Sequence, residues 1–280
     1  MTIQWFPGHM LETENLLIKE ISSVDAVLEI LDARLPFSSA NPFVDKLCKN
    51  KFRLKVLNKT DLADPEETIL WLEYFQKNRI PAVSICGIQP THVFHALNDC
   101  VKKTSRNKAR KLKIMVLGIP NTGKSTILNT LSGKKIAKTG NTPAITRHPQ
   151  RTGLPNNIDI YDTPGILSPI IQPKEKAYLL AVSGAISDTA FDYREIALFA
   201  AAMLIRRYSH LLMDRYSFMN TVPDDPTLLI EKIGAARGCL KKGGVIDYQK
   251  ASETLIRELR AGKIGKISFE TPKDYENETP

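Results

Sequence analysis

The segment GIPNTGKS, from Gly118 to Ser125, has the residue types and the spacing of a phosphate-binding loop. It matches the pattern GxxxxGK[ST], with an apolar run before it and a helical pattern after it. In such a loop backbone N–H groups surround phosphates, the lysine reaches the outer phosphates and the last hydroxyl can hold Mg²⁺. The loop residues that we expect at a nucleotide are Asn121, Thr122, Gly123, Lys124, Ser125 and Thr126.

Two further segments fit the same chemistry. DTPG, from Asp162 to Gly165, follows the strand-like run IDIYD. An acid at that position supports a metal ion, and the glycine N–H can contact the terminal phosphate. The intervening GNTPAITRHP contains Thr146, a candidate second hydroxyl ligand. We therefore predict Ser125, Thr146 and Asp162 as the Mg²⁺ ligands.

An NKxD tetrapeptide indicates which base is bound. A carboxylate accepts hydrogen bonds from guanine N1–H and the 2-amino group, whereas adenine offers no such pair of donors. The amide bonds the other edge of the base, and the lysine stem can lie over the ring. A short SICG segment follows the next predicted strand and resembles a loop that closes over guanine. The predicted guanine-site residues are Asn58, Lys59, Thr60, Asp61, Ser84, Cys86 and Gly87. We predict that GTP, and not ATP, is the ligand.

The order of these motifs is unusual, because the base motif precedes the phosphate loop. Most GTPases have the phosphate loop first. The order base motif, base loop, phosphate loop, switch threonine and DTPG is that of a circular permutation. Such a rearrangement leaves packing intact where the original termini lie close together.

Short β-rich runs alternate with helical patterns in the first part of the chain, which is typical of a doubly wound α/β sheet. We predict strands at 26–31, 52–57, 81–85, 113–118 and 158–162, and helices at 9–21, 41–49, 65–78, 90–104 and 124–131. Beyond position 173 the patterns are helical, at 174–184, 192–207, 226–236 and 247–261. The prediction is a circularly permuted Ras-like GTPase domain with a mostly parallel sheet at 1–173. A small all-helical domain is predicted at 174–280.

Positive charge is concentrated in one stretch. The chain has 280 residues, 42% of them hydrophobic and 25% charged, with a formal charge of +9. No acidic residue lies between 100 and 158, a stretch that holds 13 of the 39 basic residues. The rest of the chain contains the other 26 basic residues and all 30 acidic residues. Candidate RNA contacts are Lys102, Lys103, Arg106, Lys108, Arg110 and Lys111. A solvated helix end is the alternative. No aromatic residue interrupts the run VKKTSRNKARKLK, so base stacking is not indicated.

The remaining composition points to a cytoplasmic protein that does not enter a membrane. Four scattered cysteines show no CxxC pair and no zinc-ligand spacing, as expected of buried thiols in a reducing compartment. The N-terminus does not resemble a signal peptide, because Glu12 and Glu14 precede any long apolar run. The most apolar helical stretch, 196–205, is about half the length of a bilayer span.

These motifs together resemble a family of circularly permuted GTPases that act in ribosome biogenesis. The resemblance extends over almost the whole chain, through IQWFPGHM, DARLPFSSANP, LNKTD, GIPNTGKST, GNTPAIT, DTPGIL and RGCLKKGGVIDY in that order. It implies binding to a precursor of the large ribosomal subunit, with the helical domain at 174–280 as the part that binds the ribosome or RNA. It also implies a role in a late maturation step. It also implies that Asn121 helps to hold a monovalent cation such as K⁺; an ordinary loop asparagine is the alternative.

Catalysis presents a gap in the expected pattern. Many GTPases orient the attacking water with a glutamine directly after DxxG, but that position here is Ile166. One interpretation is a slow hydrolase with Ile166 in the core. The other, which rests on the family resemblance, assigns a catalytic role to His9 of WFPGHM when a partner closes the site. We expect low intrinsic hydrolysis, stimulation by the ribosomal particle and a monomer off the ribosome. A GTP-dependent switch for another partner, an RNA-modifying enzyme or a membrane protein, remains the alternative.

Overall fold

The computed structural model describes residues 9–104, 110–134, 150–168, 171–217 and 221–275. These residues divide into two compact units. The helical unit is Ile171–Phe269. The sheet unit contains the described residues before position 169 together with 270–275.

The sheet unit is built on six strands. They are β1 (Ala26–Asp32), β2 (Phe52–Asn58), β3 (Ala82–Ser84), β4 (Leu112–Leu117), β5 (Gln150–Leu154) and β6 (Ile158–Asp162). Their order across the sheet is β3-β2-β1-β4-β6-β5, and only β5 is antiparallel to its neighbour. The predicted mostly parallel sheet is confirmed. The patterns missed β5, because an edge strand with the sequence QRTGL has no apolar run to reveal it.

Helices cover both faces of this sheet. They are α1 (His9–Glu20), α2 (Pro42–Leu47), α3 (Pro65–Lys77), α4 (Pro90–Lys103) and α5 (Lys124–Ser132). The start of α3 shows how the sequence sets these boundaries. Asp64 caps the helix by accepting a hydrogen bond from the Glu66 N–H, and Pro65 occupies the first turn.

Two apolar layers hold the helices against the strands. On one face, the core includes residues of α4 and α5 such as Val93, Leu97 and Leu128. On the other face, Leu17 of α1 and Val44 of α2 pack beneath the sheet. Each layer buries strand residues that alternate between the two faces, as the pleat of a sheet requires. Because all the strands except β5 are parallel, their carboxyl ends lie at a common edge.

The helical unit contains α6 (Lys174–Ser183), α7 (Tyr193–Arg207), α8 (Ser209–Arg215), α9 (Pro226–Ala236) and α10 (Tyr248–Arg260). In α10 the apolar residues Ala251, Leu255, Ile256 and Leu259 are buried, at positions that share one face of a helix. The patterns missed α8, which is only seven residues long. Among the described residues no single helix has the length and apolar character to cross a bilayer, though the sharply bent pair α7 and α8 meets those criteria jointly.

The C-terminal residues depart from the predicted domain limits, which assigned everything after 173 to the helical domain. Instead, residues 270–275 belong to the sheet unit. The buried Glu270 carboxylate accepts hydrogen bonds from the backbone N–H groups of Phe37, at 2.9 Å, and Ser38, at 3.1 Å. Tyr275 stacks on Phe37 with ring centroids 3.8 Å apart. Hydrogen bonding and ring stacking between residues far apart in sequence determine this position.

All four cysteines are buried and free, as their spacing predicted.

Candidate functional site

The predicted nucleotide motifs meet at one edge of the sheet. NKTD begins at the end of β2, SICG at the end of β3, the phosphate loop follows β4, and DTPG begins at the end of β6. These four strands are parallel, so their carboxyl ends share an edge. Ligands of open α/β sheets bind outside that edge. The permuted motif order therefore still forms one site.

The phosphate loop has the backbone conformation that its glycines allow. Gly118 has φ 150° and Gly123 has φ 95°, values that side chains disfavour. A Cβ on Gly118 would meet the Ile30 carbonyl oxygen at 2.4 Å. The buried Lys124 ammonium donates hydrogen bonds to the carbonyls of Gly118, at 3.1 Å, and Ile119, at 2.8 Å. The Lys124 ammonium is therefore bonded to the backbone of the same loop that is expected to bind the phosphates.

Burial perturbs the two charged groups of the phosphate site. Desolvation lowers the pKa of Lys124 to about 8, although the nearby Asp162 opposes the change. Desolvation also raises the pKa of Asp162 to about 6, against the effect of Lys124. The carboxylate oxygens of Asp162 are buried, and the groups that favour its charged form are Lys124 and, more weakly, the Thr163 backbone N–H. A buried carboxylate in this state is suited to receive a cation.

The site residues fit Mg²⁺ better than a metal with many protein ligands. No group of three or more His, Cys, Asp or Glu side chains among the described residues could hold a metal ion. Mg²⁺ commonly uses one or two protein oxygens together with phosphates and water. Asp162 and the Ser125 hydroxyl, in the first turn of α5, supply such oxygens. Thr146 lies outside the described residues.

DTPG is seated directly against the phosphate loop. The Thr163 hydroxyl donates a hydrogen bond to the Val116 carbonyl at 2.7 Å, and the Ile166 N–H donates to the Gly118 carbonyl at 3.3 Å. At Gly165 an added Cβ would lie 2.7 Å from the Pro120 nitrogen. This close approach requires glycine, and it brings the Gly165 backbone to the loop.

Ile166 lies in the core beneath the site. It is buried among apolar residues of α1, α2 and β4, and its carbonyl accepts a hydrogen bond from the Asn41 side chain at 3.0 Å. A buried aliphatic side chain cannot orient a water molecule, because it has neither donor nor acceptor.

Asn58 joins the base motif to both neighbouring loops. Its side chain donates to the Thr122 carbonyl at 2.8 Å and accepts from the Gly87 N–H at 2.8 Å. The Thr130 hydroxyl in turn donates to the Gly87 carbonyl at 2.8 Å. The phosphate loop, the base motif and the base loop are thus connected by hydrogen bonds.

Asp61 is exposed beside the base loop. The Cys86 thiol donates to the Asp61 carboxylate with a distance of 3.4 Å, and Ser84 ends the strand that leads into this loop. The Thr60 N–H donates to the Ile85 carbonyl at 3.2 Å. The carboxylate that the sequence assigns to guanine is therefore adjacent to the loop expected to close over the base.

Two residues at this site were given no role by the sequence patterns. Asp32 ends β1 and forms an ion pair with Lys59 of the base motif, at 2.9 Å. Arg34 forms a two-point ion pair with the same Asp32 carboxylate. The available signal was the pair of charged residues Asp32 and Arg34 at the end of an apolar strand.

Two of the predicted RNA contacts, Arg110 and Lys111, lie away from the nucleotide edge. Arg110 and Lys111 immediately precede β4, at the opposite end of the sheet. Arg110 pairs with Asp25, and the Lys111 ammonium lies 3.6 Å from Asp159. Both cations therefore have acidic partners within the chain.

Lys102 and Lys103 are exposed in the last turn of α4. Arg106 and Lys108 lie outside the described residues. His9 begins α1, but its side chain also lies outside the described part.

Comparison with known proteins agrees with this geometry. A family model described as 50S ribosome-binding GTPase matches residues 113–199. A Priestia megaterium protein named ribosome biogenesis GTPase A is 39% identical over 286 residues, covering 99% of each chain. The chain belongs to the ribosome biogenesis GTPase A family. The Thermotoga maritima member is 33% identical and covers 97% of this chain and 95% of its own.

Solved structures of the ribosome biogenesis GTPase A family show the same fold. GNP-bound YlqF from T. maritima has a TM-score of 0.69 at 27% identity, covering 94% of this chain and 99% of its own. A GDP-bound TM YlqF structure gives 0.68 at 28% identity, covering 92% and 100%. The family resemblance and the permuted GTPase fold are confirmed. As a member of the ribosome biogenesis GTPase A family, the chain is an enzyme that hydrolyses GTP.

Proposed function

We propose that this chain hydrolyses GTP to drive a late step of large ribosomal subunit assembly, and that the ribosomal particle stimulates hydrolysis. The relatives' name, ribosome biogenesis GTPase A, supports the biological setting. The convergence of four nucleotide motifs at one sheet edge supports the chemistry. We also propose a cytoplasmic location and a monomer off the ribosome.

Guanine recognition is assigned to the base motif and base loop. We propose that Asp61 accepts from guanine N1–H and the 2-amino group, and that the Lys59 stem lies over the ring. The Asn58 amide, which the sequence pattern assigns to the other edge of the base, bonds the Thr122 carbonyl and the Gly87 N–H in this structure and so holds the loops together. The contact between Asp61 and Cys86 of the base loop supports this assignment. Asp61→Asn should weaken GTP binding and admit xanthosine nucleotides, whose 2-oxo group needs a donor. Unchanged GTP affinity in a calorimetric titration would contradict the assignment.

Phosphate and metal binding are assigned to the phosphate loop and DTPG. Ser125 and Asp162, together with Thr146, would hold Mg²⁺, which neutralises negative charge on the phosphates when bound. Lys124 is proposed to contact the outer phosphates, and the N–H of Gly165 to contact the terminal one. Asn121, at φ 59° in the loop, is proposed to help hold K⁺. Hydrolysis that is equally fast in NaCl and KCl would contradict the K⁺ proposal.

Water activation is assigned to a group outside the phosphate loop. Ile166 is buried and offers no hydrogen bond, so intrinsic hydrolysis should be slow. We propose that His9 acts when the ribosomal particle closes the site. His9→Ala should remove most of the particle-stimulated rate and leave GTP affinity nearly unchanged.

The matched control for His9 is His95→Ala, which removes an exposed histidine on α4. Phosphate release is measured with and without precursor particles of the large subunit. If His9→Ala and His95→Ala both hydrolyse GTP as fast as the parent on the particle, His9 has no catalytic role.

Particle binding is assigned in part to the exposed lysines at the end of α4. Lys102 and Lys103 are proposed to contact RNA phosphates, together with Arg106 and Lys108. Since Arg110 and Lys111 already pair with acids, we expect their contribution to be smaller. Co-sedimentation with precursor particles, using a non-hydrolysable GTP analogue, tests the partner.

Reversing both charges, in Lys102→Glu with Lys103→Glu, should reduce co-sedimentation and flatten its salt dependence. The control reverses the exposed Lys46 and Lys49, for the same change in net charge. No co-sedimentation of the parent protein would instead favour a GTP-dependent switch for a non-ribosomal partner.

A further inference from the structure

A buried ion-pair network lies directly behind the base motif. The Asp32 carboxylate accepts hydrogen bonds from Arg34 Nε at 2.9 Å and from Arg34 Nη2 at 2.8 Å. The Lys59 ammonium approaches the same carboxylate at 2.9 Å. Asp32 is 3% exposed and Arg34 is 2% exposed. Two cations from different segments therefore share one buried carboxylate next to the guanine site.

The register of two neighbouring strands brings these groups together. Asp32 of β1 is paired with Asn58 of β2, and the Ala33 N–H donates to the Asn58 carbonyl at 2.7 Å. Lys59 follows with φ 67°, a left-handed turn that is uncommon for a lysine. The base motif thus leaves its strand beside the first residues of the DAR segment.

Arg34 holds the shared carboxylate in one orientation. The Arg34 guanidinium donates two parallel hydrogen bonds to the Asp32 carboxylate. The Arg34 backbone N–H also donates to Asp32 Oδ1, at 3.1 Å. A planar fork of this kind restrains a carboxylate in a way that a lysine cannot, because an ammonium is a point charge. Since Lys59 is anchored on the same carboxylate, the position of its stem depends on Arg34.

The charge of Arg34 also acts on the residue expected to read guanine. Burial lowers the pKa of Arg34, but attraction to Asp32 and Asp61 outweighs it and raises the pKa. Asp61 likewise attracts Lys59. The two acids and two cations balance in charge. Without Arg34, Asp32 and Asp61 would compete for Lys59 alone.

We propose that Arg34 is a positioning residue for guanine specificity, which acts through Asp32 on Lys59 and through its charge on Asp61. The inference rests on the proposed guanine site. Arg34 itself need not touch the nucleotide. It keeps the lysine stem in place over the base and offsets negative charge behind Asp61.

Base discrimination is the readout that a purely structural ion pair would not change. Inosine triphosphate lacks the 2-amino group of GTP, so the ratio of its dissociation constant to that of GTP reports on Asp61. Arg34→Met should weaken GTP binding by about tenfold or more and lower this ratio, since charged hydrogen bonds are lost. Arg34→Lys, which keeps the charge and loses the fork, should fall between Arg34→Met and the parent.

The matched control is Arg53→Met. Arg53 lies on β2 and pairs with Glu29 and Asp45, away from the base motif. Its loss should leave the ratio of dissociation constants unchanged. If Arg34→Met also leaves that ratio unchanged, the inference is overturned, even when GTP affinity falls. If Arg34→Met does not fold, as judged by circular dichroism, the same ratio in Arg34→Lys decides the matter.

Asp61→Asn separates failure of this inference from failure of the guanine site. If Asp61→Asn has the same ratio of dissociation constants as the parent protein, the base is read elsewhere and both proposals are wrong. A changed ratio in Asp61→Asn with an unchanged ratio in the folded Arg34 variants would overturn the role of Arg34 alone.

Discussion

Asp162→Asn should make the nucleotide-free protein more stable while it prevents efficient GTP hydrolysis. Asp162 is 2% exposed, and desolvation outweighs the two groups that favour its charged form, Lys124 and the Thr163 backbone N–H. At neutral pH the folded protein must keep this group charged and desolvated, which lowers the free energy of unfolding. Asparagine has the same shape without the charge.

The magnitude follows from the pKa. Burial raises the pKa of Asp162 from 3.8 to about 6, with Lys124 opposing the rise. Each pKa unit corresponds to about 1.4 kcal/mol, so the charged carboxyl lowers the free energy of unfolding by up to about 3 kcal/mol well above pH 6. The substitution also removes an attraction to Lys124. We therefore expect the variant to gain about 1–3 kcal/mol at pH 7.5.

The sign of the pH dependence is a stricter test. Because the pKa is higher in the folded state, the folded state binds the proton more tightly than the unfolded state. The penalty on the parent protein is full above the folded pKa of about 6 and disappears as the pH falls toward the unfolded value of 3.8. The advantage of Asp162→Asn should therefore stay nearly constant from pH 7.5 down to about pH 6 and shrink as the pH falls further toward pH 4.5.

Urea unfolding of nucleotide-free protein at several pH values measures both quantities. Asp159→Asn is the matched control, because Asp159 is a buried acid on the same strand that pairs with Arg151 at 2.8 Å. Asp159→Asn should lower the free energy of unfolding or leave it unchanged. An Asp162→Asn variant that is less stable than the parent at pH 7.5, or an advantage independent of pH, would refute the reasoning. Phosphate release with Mg²⁺ should fall strongly in Asp162→Asn.

Two further predictions concern close packing and the C-terminal residues. Gly165→Ala should slow particle-stimulated hydrolysis while GDP binding persists, because the new Cβ would lie 2.8 Å from the Pro120 Cα and displace DTPG. An unchanged rate would mean that DTPG tolerates the shift. The control is Gly153→Ala, where an added Cβ would make only an ordinary contact with the Asp159 side chain at 3.6 Å. Glu270→Ala should lower the free energy of unfolding by at least about 2 kcal/mol, since the Phe37 and Ser38 N–H groups lose their acceptor. Urea unfolding measures this loss, Glu270→Gln should lose less, and equal stability of parent and Glu270→Ala would contradict the prediction.

Local patterns in the sequence were sufficient for the motifs and for most of the fold. The phosphate loop, NKTD and DTPG are short segments that can be recognised from their residue types and spacing alone. Buried parallel strands appear as apolar runs, and helix starts such as Asp64-Pro65 have local caps. The permuted order could be inferred because it is a property of the sequence itself. The edge strand β5 and the short helix α8 lack such runs, so they escaped prediction.

The tertiary structure decided which distant groups interact and how their environment changes them. Asn58 reaches Thr122, 64 positions along the chain, and Glu270 reaches Ser38, 232 positions away. Neither pairing has a local signature, because each depends on how strands and tails come together. Desolvation of Asp162 is likewise a property of the packed site. The sequence thus determined which chemical groups are present, whereas packing determined their partners, burial and charge balance, since hydrogen bonds and dielectric surroundings depend on distance in space.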